Sequence, residues 1–260
     1  MNALSIRSRQ LALDLRRLPA DSGQPRRGEL AAAWEALIHG LDLVLRELRP
    51  ESDAAARLRL LRQRGAALSD ADAQASLRQL VQLAGQRSIR YTAHHAWLCW
   101  ALVRAAQPGE ADPSLPEPAL EHAALSMHCM LRPLQDRLAL QPGPPTAAEQ
   151  ALIQQHAVLA GSRLAALPGV DGDWLRLVRE HHGGGEPATR LLALGERLAA
   201  AFSRRIERPA MDGPRLRALL AQLAADEQAL LERHPAAGPA WVPRLQQILL
   251  PLLAPPTPAA

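Results

Sequence analysis

The sequence predicts an all-α protein, and three observations carry that expectation. Hydrophobic residues make up 48% of the 260, and they are mostly Leu and Ala, with a single Phe and a single Tyr. Strands favour β-branched and aromatic residues, whereas Ala, Leu, Arg, Gln and Glu favour helix. Apolar residues recur at helical spacing almost throughout, and the segments are punctuated by proline and glycine rather than by hairpin signals.

The elements follow in order. After a polar opening broken between Pro19 and Pro25, Gly28 to Leu48 reads as a helix stopped by Arg49-Pro50, since proline disfavours helix at the residue before it. Ser52 to Arg64 and Ser69 to Gln86 are expected as helices opened by serine caps. Thr92 to Ala106 follows, then the breaker-rich Pro108 to Pro118, then a largely helical Pro118 to Leu140. Gln141-Pro-Gly-Pro-Pro reads as a turn; Thr146, with Glu149 three residues on, forms a capping box for a helix running to Leu167. Asp173 to His182, Ala188 to Arg205, Pro214 to His234 and Trp241 to Leu253 complete the helices, and the tail from residue 254 reads as disordered.

Composition narrows function. All thirty basic residues are arginine, yet 26 acids leave a net charge of only +4. No arginine cluster is interleaved with aromatics that could stack bases, which argues against a nucleic-acid binder. The run Arg57-Leu-Arg-Leu-Leu-Arg62 reads as a solvated helix face. Two cysteines, Cys99 and Cys129, give no disulfide framework. With no signal-peptide core and no apolar run long enough to span a bilayer, the expectation is a cytoplasmic protein with no membrane partner.

Histidine is the informative residue. His39 is alone in the first ninety residues, whereas His94, His95, His122, His128, His156, His181 and His182 crowd the middle. That shift divides the chain into an N-terminal helical region, 1–87, and a helical domain, 88–253, carrying the chemistry. His95, His128, His156 and His181 lie about one helix and a connection apart, so each can come from a different helix of one bundle, as in metal sites built in bundle cores. His181 and His182 adjoin three glycines. Neighbours on a helix diverge by about 100°, but at a helix end both can turn toward one centre. Neutral imidazole is the commonest transition-metal ligand, so a metal site is the expectation, with scattered ordinary histidines as its competitor. Trp97, Trp100 and Trp174 read as core anchors, Cys99 as a small buried hydrophobe, and His39, His122 and His234 as structural or surface residues. Gly183 to Gly185 do not read as a phosphate loop, since no strand precedes them and no lysine follows.

Over roughly residues 88–235 the order and spacing of these residues resemble the HD-GYP family, the cyclic-di-GMP phosphodiesterase branch of the HD superfamily of metal-dependent phosphohydrolases. Tyr91-Thr-Ala-His-His95 resembles the opening Y-T-x-G-H, with His95 on the first metal histidine and His94 on the usual glycine. His128-Cys-Met-Leu-Arg132 stands where H-D-I-G-K is expected. Gln141-Pro-Gly-Pro-Pro-Thr146 with Glu149 resembles K-P-G-x-L-T-x-x-E, and His156 with Gly161 resembles the H-x-x-x-G that follows. His181-His182 is similar to the H-H-E doublet, Leu191 to Glu196 to I-L-A-L-A-D, and Arg208-Pro209 to R-P-Y.

The resemblance implies an HD-type bundle and a centre of one or two Fe, Mn or Zn ions held by His95, His128, Cys129, His156, His181, His182 and Glu196. It places Arg132 where a catalytic cation would neutralise charge on a phosphoryl group. The departures are specific. Cys129 replaces the aspartate that bridges two metals, Arg132 replaces a lysine, and the loop bearing D-G-x-G-Y-P has shrunk to Gly183-Gly-Gly-Glu-Pro187. The expectation is therefore a cyclic-di-GMP signalling module with weakened or lost phosphodiesterase activity, the N-terminal helices contacting signalling proteins. The alternatives are an active metal-dependent phosphohydrolase and a non-catalytic signalling module of the related HDOD class.

Overall fold

The computed structural model describes residues 27–86, 90–107, 115–183, 185–206, 208–234 and 238–253. The opening segment before residue 27 and the tail from 254 lie outside them. The described residues form an all-helical fold: α1 (Arg27–Arg46), α2 (Ala54–Ala71), α3 (Ala73–Gln86), α4 (Tyr91–Ala106), α5 (Glu117–Ser126), α6 (Arg132–Leu138), α7 (Ala147–Ala165), α8 (Gly172–Glu180), α9 (Pro187–Phe202), α10 (Gly213–Arg233) and α11 (Val242–Leu249), the last running into a 3-10 turn, Leu250–Leu253. None of these helices is long and apolar enough to cross a membrane.

α4 organises the rest. It is buried on every side, as a helix that is hydrophobic all round must be, and α1, α3, α5, α6, α9 and α11 pack around it. Trp97 and Trp100 of α4 meet Trp34 of α1 at ring-centroid distances of 5.4 and 6.1 Å, and the Trp97 indole N–H donates to the Leu37 carbonyl at 3.1 Å. One apolar core therefore runs from Leu30 to Leu249. The histidine shift that suggests a boundary at 87/88 is not a break in packing, because α4 needs cover from both sides. Trp97, Trp100, Trp174 and Cys99 are all buried, as expected.

Two close approaches fix the helices that matter. A Cβ on Gly65 of α2 would stand 2.4 Å from Trp97 Cζ3, and one on Gly195 of α9 would stand 2.8 Å from Val103 Cγ2. Gly65 leaves room for the Trp97 ring against α2, while Gly195 lets α9 lie close along α4 and brings the adjoining Glu196 toward the histidines.

Several local expectations need correction. The Pro118 to Leu140 helix breaks into α5 and α6 around a turn at 127–131. Pro133 explains the break: it has no N–H for the Cys129 carbonyl, and its ring would clash with that oxygen in a continuous helix. Neither serine caps its helix. Asp72 caps α3 by accepting from the Ala75 N–H at 2.8 Å, while Ser52 Oγ donates to the Arg49 carbonyl. The Arg57 to Arg62 face is not simply solvated. Arg57 pairs with Glu47 at 2.6 Å, Arg62 with the buried Glu121 at 3.0 Å, and Arg59 donates to the Gly169 carbonyl. Glu121 also accepts from Arg104 and from the Trp100 indole, which supplies the partners a buried carboxylate needs.

The capping box is present as read. Thr146 Oγ1 accepts from the Glu149 N–H at 3.3 Å, and Glu149 Oε2 accepts from the Thr146 N–H at 2.7 Å. Thr146→Ala is expected to cost about 1 kcal/mol, read as a lower urea midpoint with an unchanged m-value.

His122 is buried, the structural of the two expectations for it. It stacks on Trp174 at 4.6 Å with neither ring nitrogen hydrogen-bonded, and burial, aided by Arg62 and Arg59, lowers its pKa to about 4. A histidine whose folded pKa is depressed binds its proton in the unfolded chain first, so stability is lost as pH falls from about 6.5 toward about 4. His122→Gln is expected to flatten that part of the stability–pH curve by up to about 1.4 kcal/mol per pH unit. Urea unfolding between pH 7 and pH 5 measures the slope, and identical slopes in the two proteins would refute the assignment.

Candidate metal centre

Four segments deliver ligand-type side chains to one buried place. His128 comes from the turn that Pro133 enforces, His156 from the second half of α7, His181 from the C-terminal end of α8, and Glu196 from the middle of α9. Each offers one donor atom, and the four atoms lie within 4.8 Å of one another. A tetrahedral ion about 2.2 Å from each donor holds its donors about 3.6 Å apart, so the cluster accepts an ion once its widest separation closes by about 1 Å.

The helix ends explain the aim. Asp171 caps α8 by accepting from the Trp174 N–H at 2.9 Å, and the buried Trp174 anchors that helix against α5. The paired histidines then part: His181 is 1% exposed, whereas the His182 side chain is 49% exposed. One imidazole enters the cluster and the other stands at its rim, its Nε2 3.5 Å from Glu196 Oε2.

Hydrogen bonds set the tautomers. His156 Nδ1 contacts the Ile153 carbonyl at 2.6 Å, and His181 Nδ1 contacts the Val178 carbonyl at 2.8 Å. A carbonyl only accepts, so both Nδ1 atoms carry the proton and both Nε2 atoms present lone pairs. Those two Nε2 atoms face each other at 3.0 Å, an arrangement that calls for a cation between them. Donating the far ring N–H to a backbone carbonyl is also the usual bracing of a metal-ligating histidine.

The charges agree. Burial, with help from His128, lowers the pKa of His156 to about 4, and burial lowers that of His181 to about 3. Both rings are neutral, the form that ligates metal. Burial would raise Glu196, but His128, through charge and a 2.8 Å hydrogen bond, together with His181 and His182, holds its carboxyl well below the usual range. Three imidazoles and one carboxylate form a donor set suited to Zn, Fe or Mn.

Of the residues that the sequence nominates, His128, His156, His181 and Glu196 converge, and His182 lies beside them. His95 of α4 is buried, stacked on Tyr91 and 4.7 Å from the His128 ring. It stands next to the four donors but outside their group. Burial first, then His128, lowers its pKa to about 3.

Two nominations are corrected. Cys129 does not join the donors: it lines a separate pocket with Arg46 and Arg163, and burial pushes its thiol up to about 12. Arg132 is not free to meet a phosphoryl group at the cluster, because its guanidinium pairs with Asp42 at 3.4 Å and Asp136 at 3.2 Å. The sequence gives no warning of Asp136, which also accepts from the Thr92 N–H at 3.0 Å. It thereby caps α4, whose own preceding residue, Arg90, has no side-chain cap bond.

Compared with protein-family models, with curated proteins and with solved structures, the chain matches none. The fold and the site define an all-α protein with a buried three-histidine, one-glutamate cluster that could hold a metal ion.

Proposed function

We propose that the chain is a divergent relative of the HD-GYP phosphodiesterases that retains a single-metal pocket and serves as a cyclic-di-GMP signalling module, its phosphodiesterase activity weakened or lost. The observation that carries this reading is the meeting of His128, His156, His181 and Glu196, in the order in which the resembling motifs occur. One carboxylate among four donors suits one ion, and the thiol at the bridging position faces elsewhere. When bound, a metal of this kind supplies Lewis acidity and lowers the pKa of a coordinated water. The chain's own part is to hold three imidazoles and an anionic carboxylate together in a largely buried site, with His182 at its edge. The half-exposed His182 also favours a second reading, an active phosphohydrolase, since it gives the site a side open to solvent.

The test is metal analysis of protein reconstituted with Fe, Mn or Zn, followed by calorimetric titration with cyclic-di-GMP and chromatography of the nucleotide after incubation. The expected result is about one tightly held ion per chain and nucleotide binding without conversion. Conversion that disappears in His156→Ala would instead support the enzyme. Failure to retain any of the three metals would overturn the metal reading, and failure to bind the nucleotide would remove the signalling assignment.

A further inference from the structure

A second site lies on the other side of the His128–Cys129 pair. His128 turns into the imidazole cluster, while Cys129 forms part of a cavity of about 310 Å³. None of the four donor residues lines it. Four guanidinium groups do: Arg46 from the end of α1, Arg49 just beyond it, Arg132 at the start of α6, and Arg163 from α7. The cavity is also lined by Leu45, Met130 and Cys129.

The charge there does not balance. Two carboxylates serve the group. Asp42, 2% exposed, is shared by Arg46 at 2.7 Å, Arg132 at 3.4 Å and Arg90 at 3.7 Å, and Asp136 pairs with Arg132. Arg49 and Arg163 make no ion pair among the described residues; Arg163 reaches only the Leu48 carbonyl, at 3.5 Å. Arginines such as Arg57, Arg137 and Arg197 each meet a carboxylate, Glu47, Glu149 and Asp226. In this cavity four cations, with Arg90 behind them, face two anions. Arg46, Arg49 and Arg163 are exposed, so water screens part of their mutual repulsion, and an anion placed among them relieves the rest. A planar guanidinium fork is suited to the paired oxygens of a phosphate.

We propose that this cavity binds a small molecule through its phosphate or diphosphate group, with Arg49 and Arg163 as the principal contacts and Asp42 holding Arg46 and Arg132 in place. The volume is near the lower end of ordinary ligand sites, about 300 to 1,000 Å³, and so fits a compact phosphorylated molecule. The phosphate source is either an inorganic or sugar-type phosphate or a nucleoside diphosphate. The site stands independently of the metal cluster.

Calorimetric titration of the full chain at low ionic strength tests it, with inorganic phosphate, pyrophosphate and a nucleoside diphosphate as probes. R49E/R163E is compared with R233E, which makes a charge reversal at an exposed arginine of α10, and with H181A, which breaks the metal cluster. The expected result is saturable binding of at least one probe, weakened at least about tenfold in R49E/R163E and unchanged in R233E and H181A. Tighter binding of the nucleoside diphosphate than of pyrophosphate, or the reverse, identifies the source and supports the site either way. R49Q/R163Q, which removes the charges with less change in shape, is expected to weaken binding too and serves if the double reversal does not fold. The proposal is overturned if no probe binds, if the Arg49 and Arg163 variants bind as well as the parent, or if R233E loses binding to the same extent. Loss of binding in H181A would also overturn it, by placing the phosphate on the metal.

Discussion

His181→Ala is expected to abolish metal retention while leaving the helices in place. His181 contributes an Nε2 lone pair 3.0 Å from that of His156, fixed by its Nδ1–H bond to the Val178 carbonyl. Removing even an outer-shell partner of a metal ligand lowers affinity by about 10- to 100-fold, so losing a ligand should cost at least about 1,000-fold. With metal at about 1,000 times its Kd, binding stabilises the fold by about 4.1 kcal/mol; after such a loss about 0.4 kcal/mol remains. Thermal unfolding of the variant, with and without metal, should therefore give nearly coincident curves, where the parent protein shows a clear separation. His182→Ala is expected to do much less, because that ring stands at the rim. Cys129→Ser should leave metal content unchanged, since the thiol lines the arginine cavity. If His181→Ala keeps its metal and Cys129→Ser loses it, the donor set is wrong.

The contrast between those variants marks how far the sequence could be read. Helix positions were legible because they are written locally, in the apolar period, in Thr146 with Glu149, and in prolines that exclude a hydrogen bond. The convergence of His128, His156 and His181 was legible because imidazoles one helix apart in a bundle meet if their helices face inward. Which way two consecutive side chains point in a turn is not written locally. His128 and Cys129 separate because the turn before Pro133 sends one toward α7 and α9 and the other toward α1. The fate of Arg132 depends on Asp42, ninety residues earlier, and no spacing rule reaches that far. The division at 87/88 rests on composition, which carries no information about packing across it. Composition distinguishes the two halves, but Trp34 and Trp97 join them.

That junction gives the second large effect. Trp97→Ala is expected to destabilise the protein by about 3–5 kcal/mol, the usual range for removing a fully buried large aromatic side chain, and to lower Tm by about 10 °C. Trp97 is 0% exposed, lies 5.4 Å from the Trp34 ring and 5.2 Å from that of Trp100, and fills the space beside Gly65. The partner glycine makes the argument sharper. Gly65→Ala alone places a methyl 2.4 Å from Trp97 Cζ3. It should therefore lose about 1–3 kcal/mol to overpacking, against a gain of about 1 kcal/mol in helix propensity. In the Trp97→Ala background the clash is gone and only the gain remains, so the same substitution should become stabilising. A double-mutant cycle by urea unfolding should return a coupling of about 1–3 kcal/mol between a residue of α2 and one of α4, in a single cooperative transition. Additive effects, or separate transitions for the two halves, would mean that α1 to α3 form a domain of their own after all.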